Sequence, residues 1–81
     1  MMNVEKEFKA IVADIFKIKP ARIKGSTRFV DDLNAKSIDI IALVAATENT
    51  FSIKVPTAEA RKNNTVAQAI TYIKKKLGEK K

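Results

Sequence analysis

One serine in this chain stands where its hydroxyl group could do chemistry. Ser37 lies in the stretch DDLNAKSIDIIALVAATENTF, after an acidic and polar lead and directly before the most apolar run of the sequence. The chain has no histidine and no cysteine, so the commonest general base and the usual nitrogen and sulfur metal ligands are missing. No pair of carboxylates or lysines is spaced for acid–base work, so we expect no catalytic residue and no metal site. Two roles remain for Ser37: a helix cap, or a point of covalent attachment.

The residues that follow Ser37 predict a helix that is apolar on more than one face. Ser37 is an acceptable N-cap, and Asp39 falls in the first turn, where a carboxylate suits the positive end of the helix. Every residue from position 40 to 46 is apolar, which is more than one buried stripe requires. The positions predicted to face the core are Ile40, Leu43 and Val44. The positions predicted to form an exposed, partner-facing stripe are Ile38, Ile41 and Ala45.

A first helix and a long connection precede this segment. In VEKEFKAIVADIFKI the apolar residues recur with helical spacing, and Asn3 is a plausible N-cap. Pro20 and Gly25 then interrupt the pattern and indicate a long loop between the first and second helices. Ile23 and Phe29 are the predicted anchors of that loop in the core.

The second half of the chain predicts a loop, a short helix and a last long helix. The segment NTFSIKVP breaks the second helix, and its alternating apolar residues suit an extended loop with inward side chains. Thr57 is predicted to cap a short helix, AEARK. Thr65 and Gln68 have the spacing of a capping box at the start of the last helix, which Gly78 can terminate. The fold class is therefore all-α: a small bundle of three main helices and one short helix, in a single domain over residues 1–81 with a frayed basic tail at 74–81.

Charge is distributed unevenly along the 81 residues, whose net charge is +7. Residues 30–60 hold five acidic and two basic side chains, net −3, whereas the two ends carry net +4 and +6. Basic ends are compatible with nucleic-acid binding by the last helix. The exposed residues of such a surface are predicted to be Gln68, Thr71, Lys74 and Lys75. The missing aromatic platforms argue against this alternative, so we expect solvated ends and no nucleic-acid partner.

No segment approaches the eighteen or so apolar residues that cross a bilayer, and the start MMNVEKEF does not read as a secretory signal. We expect a cytoplasmic monomer without membrane insertion.

The central motif resembles that of acyl carrier proteins. The stretch FVDDLNAKSIDIIALVAATENTFSIKVP has that family's aromatic residue, its acidic-Leu lead, its serine followed by an aliphatic and an acidic residue, and its Phe, Ile and Pro at the far end. The residues that occupy these places are Phe29, Asp32, Leu33, Ser37, Ile38, Asp39, Phe51, Ile53 and Pro56. The segment NNTVAQAITYI is similar to the last helix of the family, so the resemblance covers nearly the whole chain.

The resemblance implies that Ser37 carries a 4′-phosphopantetheine arm, which a phosphopantetheinyl transferase takes from coenzyme A. Acyl groups held on its thiol would then pass between acyl-transferring or condensing enzymes of fatty acid, related lipid or polyketide biosynthesis. The start of a helix suits such a phosphate, because unpaired N–H groups and the positive dipole end are there. Lys36 is a candidate phosphate contact, and Asp39 and Glu48 are candidate partner contacts. The nature of the acyl group stays open.

The chain departs from the family pattern near the serine. Asn34 replaces a glycine and tolerates the same left-handed backbone. Lys36 replaces an acidic residue, and Ala42, Asn49 and Thr50 occupy positions that are often acidic. Because charge complementarity steers partner choice, we expect partner preferences that differ from those of generic fatty-acid carriers.

Overall fold

Four α-helices and one short 3₁₀ turn make up the fold of this computed structural model, which describes residues 3–79. The elements are α1, Val4–Phe16; a 3₁₀ turn, Pro20–Arg22; α2, Ser37–Phe51; α3, Thr57–Ala60; and α4, Val66–Glu79. The described residues contain no strand, and one isolated bridge joins Arg28 to Thr65. The predicted all-α bundle of three main helices and one short helix, with a long loop between the first two main helices, is confirmed.

The core forms where α1, α2 and α4 bring their apolar faces together. The buried apolar residues are Phe8, Val12, Ala13, Ile23, Phe29, Leu43, Phe51, Ile53, Val55, Val66, Ala69, Ile70 and Ile73. Both predicted loop anchors, Ile23 and Phe29, are among them. The alternating residues of the segment after α2 are buried as predicted, although α2 continues to Phe51 rather than breaking before it.

The two long outer helices begin as their sequences predict. At α1 the Asn3 side-chain oxygen accepts a hydrogen bond from the Lys6 N–H at 3.0 Å. At α4 the Thr65 hydroxyl oxygen accepts from the Gln68 N–H at 3.2 Å, and the Gln68 side-chain oxygen accepts from the Thr65 N–H at 3.3 Å. This reciprocal pair is the predicted capping box.

The predicted bounds of α3 and the predicted end of α4 are wrong. Thr57 does not cap a helix over AEARK: it is the first residue of α3, Pro56 precedes it with extended backbone, and the helix ends at Ala60. Gly78 does not terminate α4, which runs through it to Glu79 in ordinary helical backbone. Residues 74–79 of the predicted frayed tail therefore belong to α4, where the lysines suit the negative end of the helix. Lys80 and Lys81 lie outside the described residues.

Candidate functional site

The loop before α2 is held in place through Phe29. Its ring is buried and meets the Phe8 ring of α1 edge to face, with 6.2 Å between centroids and an interplanar angle of 87°. Its N–H donates to the Asn64 carbonyl oxygen at 3.1 Å, and its own carbonyl accepts from the Ala35 N–H at 2.9 Å. Because Ala35 lies two residues before Ser37, these contacts connect the position of the serine to the core.

Two further features shape the same loop. The Asp32 carboxylate accepts a hydrogen bond from the Arg28 N–H at 2.7 Å, and the Arg28 carbonyl accepts from the Asp32 N–H at 3.0 Å. Asn34 has a φ of 53°, so the expected left-handed turn is present at the residue that replaces glycine.

Lys36, not Ser37, is the N-cap of α2. Lys36 has extended backbone, and its carbonyl accepts the first intrahelical bond, from the Ile40 N–H at 3.0 Å. The Asp39 carboxylate accepts from the Lys36 N–H at 2.9 Å and completes the turn. The predicted cap role of Ser37 is therefore wrong: Ser37 is the first helical residue, and its side chain is exposed.

This arrangement places Ser37 at the positive end of a helix. The N–H groups of residues 37–39 precede the first intrahelical hydrogen bond of a 15-residue helix, so they lie at that end. The Asp39 carboxylate lies in the same turn, and Lys36, which is exposed, precedes the serine in the sequence. A phosphate ester on the hydroxyl fits this site, because oriented N–H groups favour negative charge.

The apolar residues of α2 divide between the core and the surface. Leu43 is buried, and Ile40 and Val44 are half-buried against the core, as predicted. Ile38 is 74% exposed, Ile41 is 59% exposed, and Ala45 is exposed too. The structure therefore brings the predicted stripe together on one solvent-facing side that begins beside Ser37.

The two candidate acidic contacts on α2 make hydrogen bonds within the chain. Asp39 accepts from Lys36, as described above, and the Glu48 carboxylate accepts from the Val55 N–H at 2.8 Å. Both are partly exposed, and each accepts a hydrogen bond from a backbone N–H.

A small apolar pocket lies between α2, α3 and α4. Its volume is about 50 Å³, and a wider cleft of about 490 Å³ lies outside it. The residues that line the pocket are Phe8, Phe29, Ile40, Leu43, Val44, Thr47, Val55, Ala60, Asn63, Ala69, Tyr72 and Ile73. Four of them also line the cleft: Phe29, Ile40, Ala60 and Asn63. These four residues form the boundary between pocket and cleft, and Ile40 places that boundary one helical turn from Ser37.

Sequence reasoning did not single out Ala60, Asn63 or Tyr72 as pocket residues. Asn63 belongs to what the sequence presents as a turn, and Tyr72 stands beside the apolar stripe of α4 rather than on it. Only the packing of α3 against the bundle places them together.

Comparison with known proteins identifies the family of the chain. Residues 6–73 match the family described as "Phosphopantetheine attachment site". The chain is 43% identical over 76 residues to the acyl carrier protein of Buchnera aphidicola subsp. Schizaphis graminum (strain Sg), a match that covers 94% of this chain and 96% of that protein. The chain belongs to the acyl carrier protein family. The resemblance inferred from the central motif is confirmed.

As an acyl carrier protein, the chain is a carrier and not an enzyme. Its cofactor is a covalent 4′-phosphopantetheine arm, whose terminal thiol holds acyl groups as thioesters while partner enzymes act on them. Those partners include a phosphopantetheinyl transferase and biosynthetic enzymes. In the described part of this acyl carrier protein, no helix is long and apolar enough to span a membrane.

Proposed function

We propose that Ser37 is the residue of this acyl carrier protein that carries the 4′-phosphopantetheine arm. The observation that carries the proposal is the exposed Ser37 hydroxyl at the first position of α2, among N–H groups without intrahelical partners. The chain has two other serines, and both are exposed. Ser26 lies in a turn, and Ser52 follows the C-terminal end of α2, where the helix dipole disfavours a phosphate. The electrostatic environment therefore distinguishes Ser37 from both.

Two sets of groups would hold the phosphate of the arm. The N–H groups at the start of α2 supply oriented donors, and the Lys36 ammonium supplies a mobile positive charge. Asp39 keeps this turn in shape through its bond to the Lys36 N–H.

The apolar pocket supports a role in shielding cargo. The pocket volume of about 50 Å³ leaves room for a short apolar group. Apolar atoms placed there leave water, which favours an acyl chain over a polar cargo. The boundary residue Ile40 lies close enough to Ser37 in α2 for cargo on an arm at that serine to reach the pocket.

The exposed stripe is the surface through which we propose that partner enzymes dock. Ile38, Ile41 and Ala45 offer apolar contact beside the modified serine, and Asp39 and Glu48 add negative charge at its edges. Positions often acidic in relatives are Ala42 and Asn49, both exposed, and the half-buried Thr50. This weaker negative field favours partners that do not depend on a strongly acidic α2. We propose a cytoplasmic monomer that serves fatty acid, related lipid or polyketide biosynthesis, and no observation favours the nucleic-acid alternative.

Mass measurement of the intact protein tests the attachment site. The chain is incubated with coenzyme A and a broad-range phosphopantetheinyl transferase, and we expect one arm per molecule. Ser37→Ala should gain no mass, whereas the matched controls Ser26→Ala and Ser52→Ala should gain the same mass as the unaltered protein. Full modification of Ser37→Ala would show that the arm is attached elsewhere.

A further inference from the structure

The short helix α3 cannot hold its own position. It has four residues, none of them buried, and Pro56 before it offers no side-chain cap. A helix of this length is not stable by itself, because nucleation costs more than its few hydrogen bonds return. Contacts from the rest of the chain must therefore determine where α3 lies.

A three-residue cluster connects α3 to α4. The Tyr72 hydroxyl of α4 donates a hydrogen bond to a Glu59 carboxylate oxygen of α3 at 2.5 Å. The Lys76 ammonium lies 3.8 Å from the same oxygen and 5.7 Å from the centre of the Tyr72 ring. Of these contacts the hydroxyl–carboxylate bond is the short one, and a hydrogen bond to a charged acceptor is stronger than a neutral one.

The residues next to Glu59 are those that separate the pocket from the cleft. Ala60 follows it directly, and the Asn63 side-chain amide donates to the Glu59 carbonyl oxygen at 3.3 Å. Ala60 and Asn63 line both spaces, and Tyr72 itself lines the pocket. Movement of Glu59 away from Tyr72 would therefore shift two residues that line both the pocket and the cleft.

We propose that the Tyr72–Glu59 hydrogen bond is a latch that holds α3 against α4 and limits how far the apolar pocket opens toward the cleft. Tyr72 and Glu59 are then positioning residues that determine which acyl chains the protein shields. A short acyl chain fits in the pocket of about 50 Å³ with the latch closed. A longer apolar chain must displace α3 and break the latch. This inference rests on the proposed shielding of cargo in the pocket.

The titration of the two groups is consistent with this contact. The hydrogen bond from Tyr72 is the largest cause that lowers the pKa of the Glu59 carboxyl, and Lys76, Lys62 and Lys75 act in the same direction. Burial is the largest cause that raises the pKa of the Tyr72 hydroxyl, followed by its bond to Glu59. The charged form of Glu59 and the neutral form of Tyr72, which together make the bond, are both favoured.

The latch can be tested on the full chain before any arm is attached. The neutral dye N-phenyl-1-naphthylamine serves as the apolar probe, and hydrogen exchange of residues 57–63 reports the opening of α3. Tyr72→Phe keeps the ring and removes the hydroxyl. We expect about five- to tenfold tighter dye binding and similarly faster exchange in this segment. The matched control Glu5→Gln removes an exposed carboxylate that pairs with Lys9 at 3.1 Å on α1, and it should change neither measurement.

Two readouts separate a latch from a general loss of stability. Amides in α1 should exchange at the same rate in Tyr72→Phe as in the unaltered protein. In a Glu59→Ala background, adding Tyr72→Phe should change dye binding less than about twofold, because the hydroxyl acts through that carboxylate. Unchanged dye binding in Tyr72→Phe, or equal effects of Tyr72→Phe with and without Glu59, would overturn the proposal.

The dependence on chain length requires protein loaded with an arm, once mass measurement has located the arm. Exchange of residues 57–63 should be the same with an acetyl group as with the bare arm, and faster with a dodecanoyl group. If residues 57–63 exchange equally slowly with both acyl groups, the latch does not respond to the length of the acyl chain. Failure of attachment at Ser37 appears in the mass measurement alone, so it is distinguishable from failure of the latch.

Discussion

Ser37 derives its chemical setting from being one residue inside α2 instead of at its cap. A cap side chain turns back to the backbone N–H groups of its own helix, whereas the cap of α2 is formed by the Lys36 backbone and the Asp39 carboxylate. The Ser37 hydroxyl is consequently not needed to complete the helix, and it stays exposed.

Glu48 is a second residue whose role depends on a backbone contact. Its carboxylate accepts from the Val55 N–H at 2.8 Å and so fastens the segment after α2, which carries the buried Ile53 and Val55. We expect Glu48→Ala to lower the free energy of unfolding by about 1–2 kcal/mol, since the partly buried N–H loses its acceptor. Glu48→Gln keeps an oxygen in place and should lose clearly less. Urea denaturation measures both, and equal losses would show that the charge matters and the hydrogen bond does not.

Helix α2 contributes one side to the core and leaves the other side exposed. Leu43 is buried, whereas Ile38 and Ile41 are exposed, so the apolar content of this helix exceeds what the core takes. Exposed apolar residues contribute little to folding and are available for binding.

This division predicts that substitutions on the two sides of α2 change different properties: partner binding on the exposed side and stability on the buried side. Ile41→Ser should change the free energy of unfolding by less than about 0.5 kcal/mol, because the side chain is exposed, and should raise the KM of a phosphopantetheinyl transferase for this protein. Leu43→Ala should cost about 2–4 kcal/mol of stability through the cavity it leaves. Urea denaturation and arm-transfer kinetics measure the two effects. An unaltered KM for Ile41→Ser would remove that residue from the docking surface.

In the whole molecule, the charged side chains make the contact between α3 and α4 depend on pH. Acidic side chains are concentrated in residues 30–60, and the positively charged ends include α4, whose Lys76 lies over Tyr72 and near Glu59. The link between α3 and α4 therefore depends on two groups that titrate at opposite ends of the pH range.

The stability provided by the Tyr72–Glu59 pair should be greatest near neutral pH and decline on both sides. The pKa of Glu59 is lowered on folding, so its contribution is present above the ordinary carboxyl pKa and lost as the pH falls through the folded value. The pKa of Tyr72 is raised, so its contribution is present below about pH 10 and lost as the pH rises through the folded value. The difference in free energy of unfolding between the unaltered protein and Tyr72→Phe should thus shrink in acid and in alkali.

The ionisation of Tyr72 can be measured directly because it is the single tyrosine and the chain has no tryptophan. Phenolate absorbance follows its ionisation directly, and far-ultraviolet circular dichroism follows unfolding in urea for both the unaltered protein and Tyr72→Phe. A stability difference that stays constant from acid to alkaline pH would mean that the pair contributes through packing of the ring alone.

The helices and their buried faces could be predicted from the sequence by local rules: helical spacing of apolar residues defines the faces, and a capping box such as Thr65 with Gln68 marks a helix start. The place of Ser37 in a known motif came from the resemblance to a family. The left-handed turn at Asn34 was expected from the resemblance, because asparagine tolerates this backbone where the family has a glycine.

Two local details differ from the sequence-based prediction. The cap of α2 is Lys36, whose N–H donates to the Asp39 carboxylate, and α4 continues through Gly78 in helical backbone. Other details depend on contacts between distant residues, which only the folded bundle brings together. Two such details are the pocket boundary at Ala60 and the hydrogen bond between Tyr72 and Glu59. The residues involved do not follow one another at helical or strand spacing, so the sequence pattern does not bring them together. Their positions follow from how α3 packs between α2 and α4, which is a property of the assembled bundle and not of any one segment.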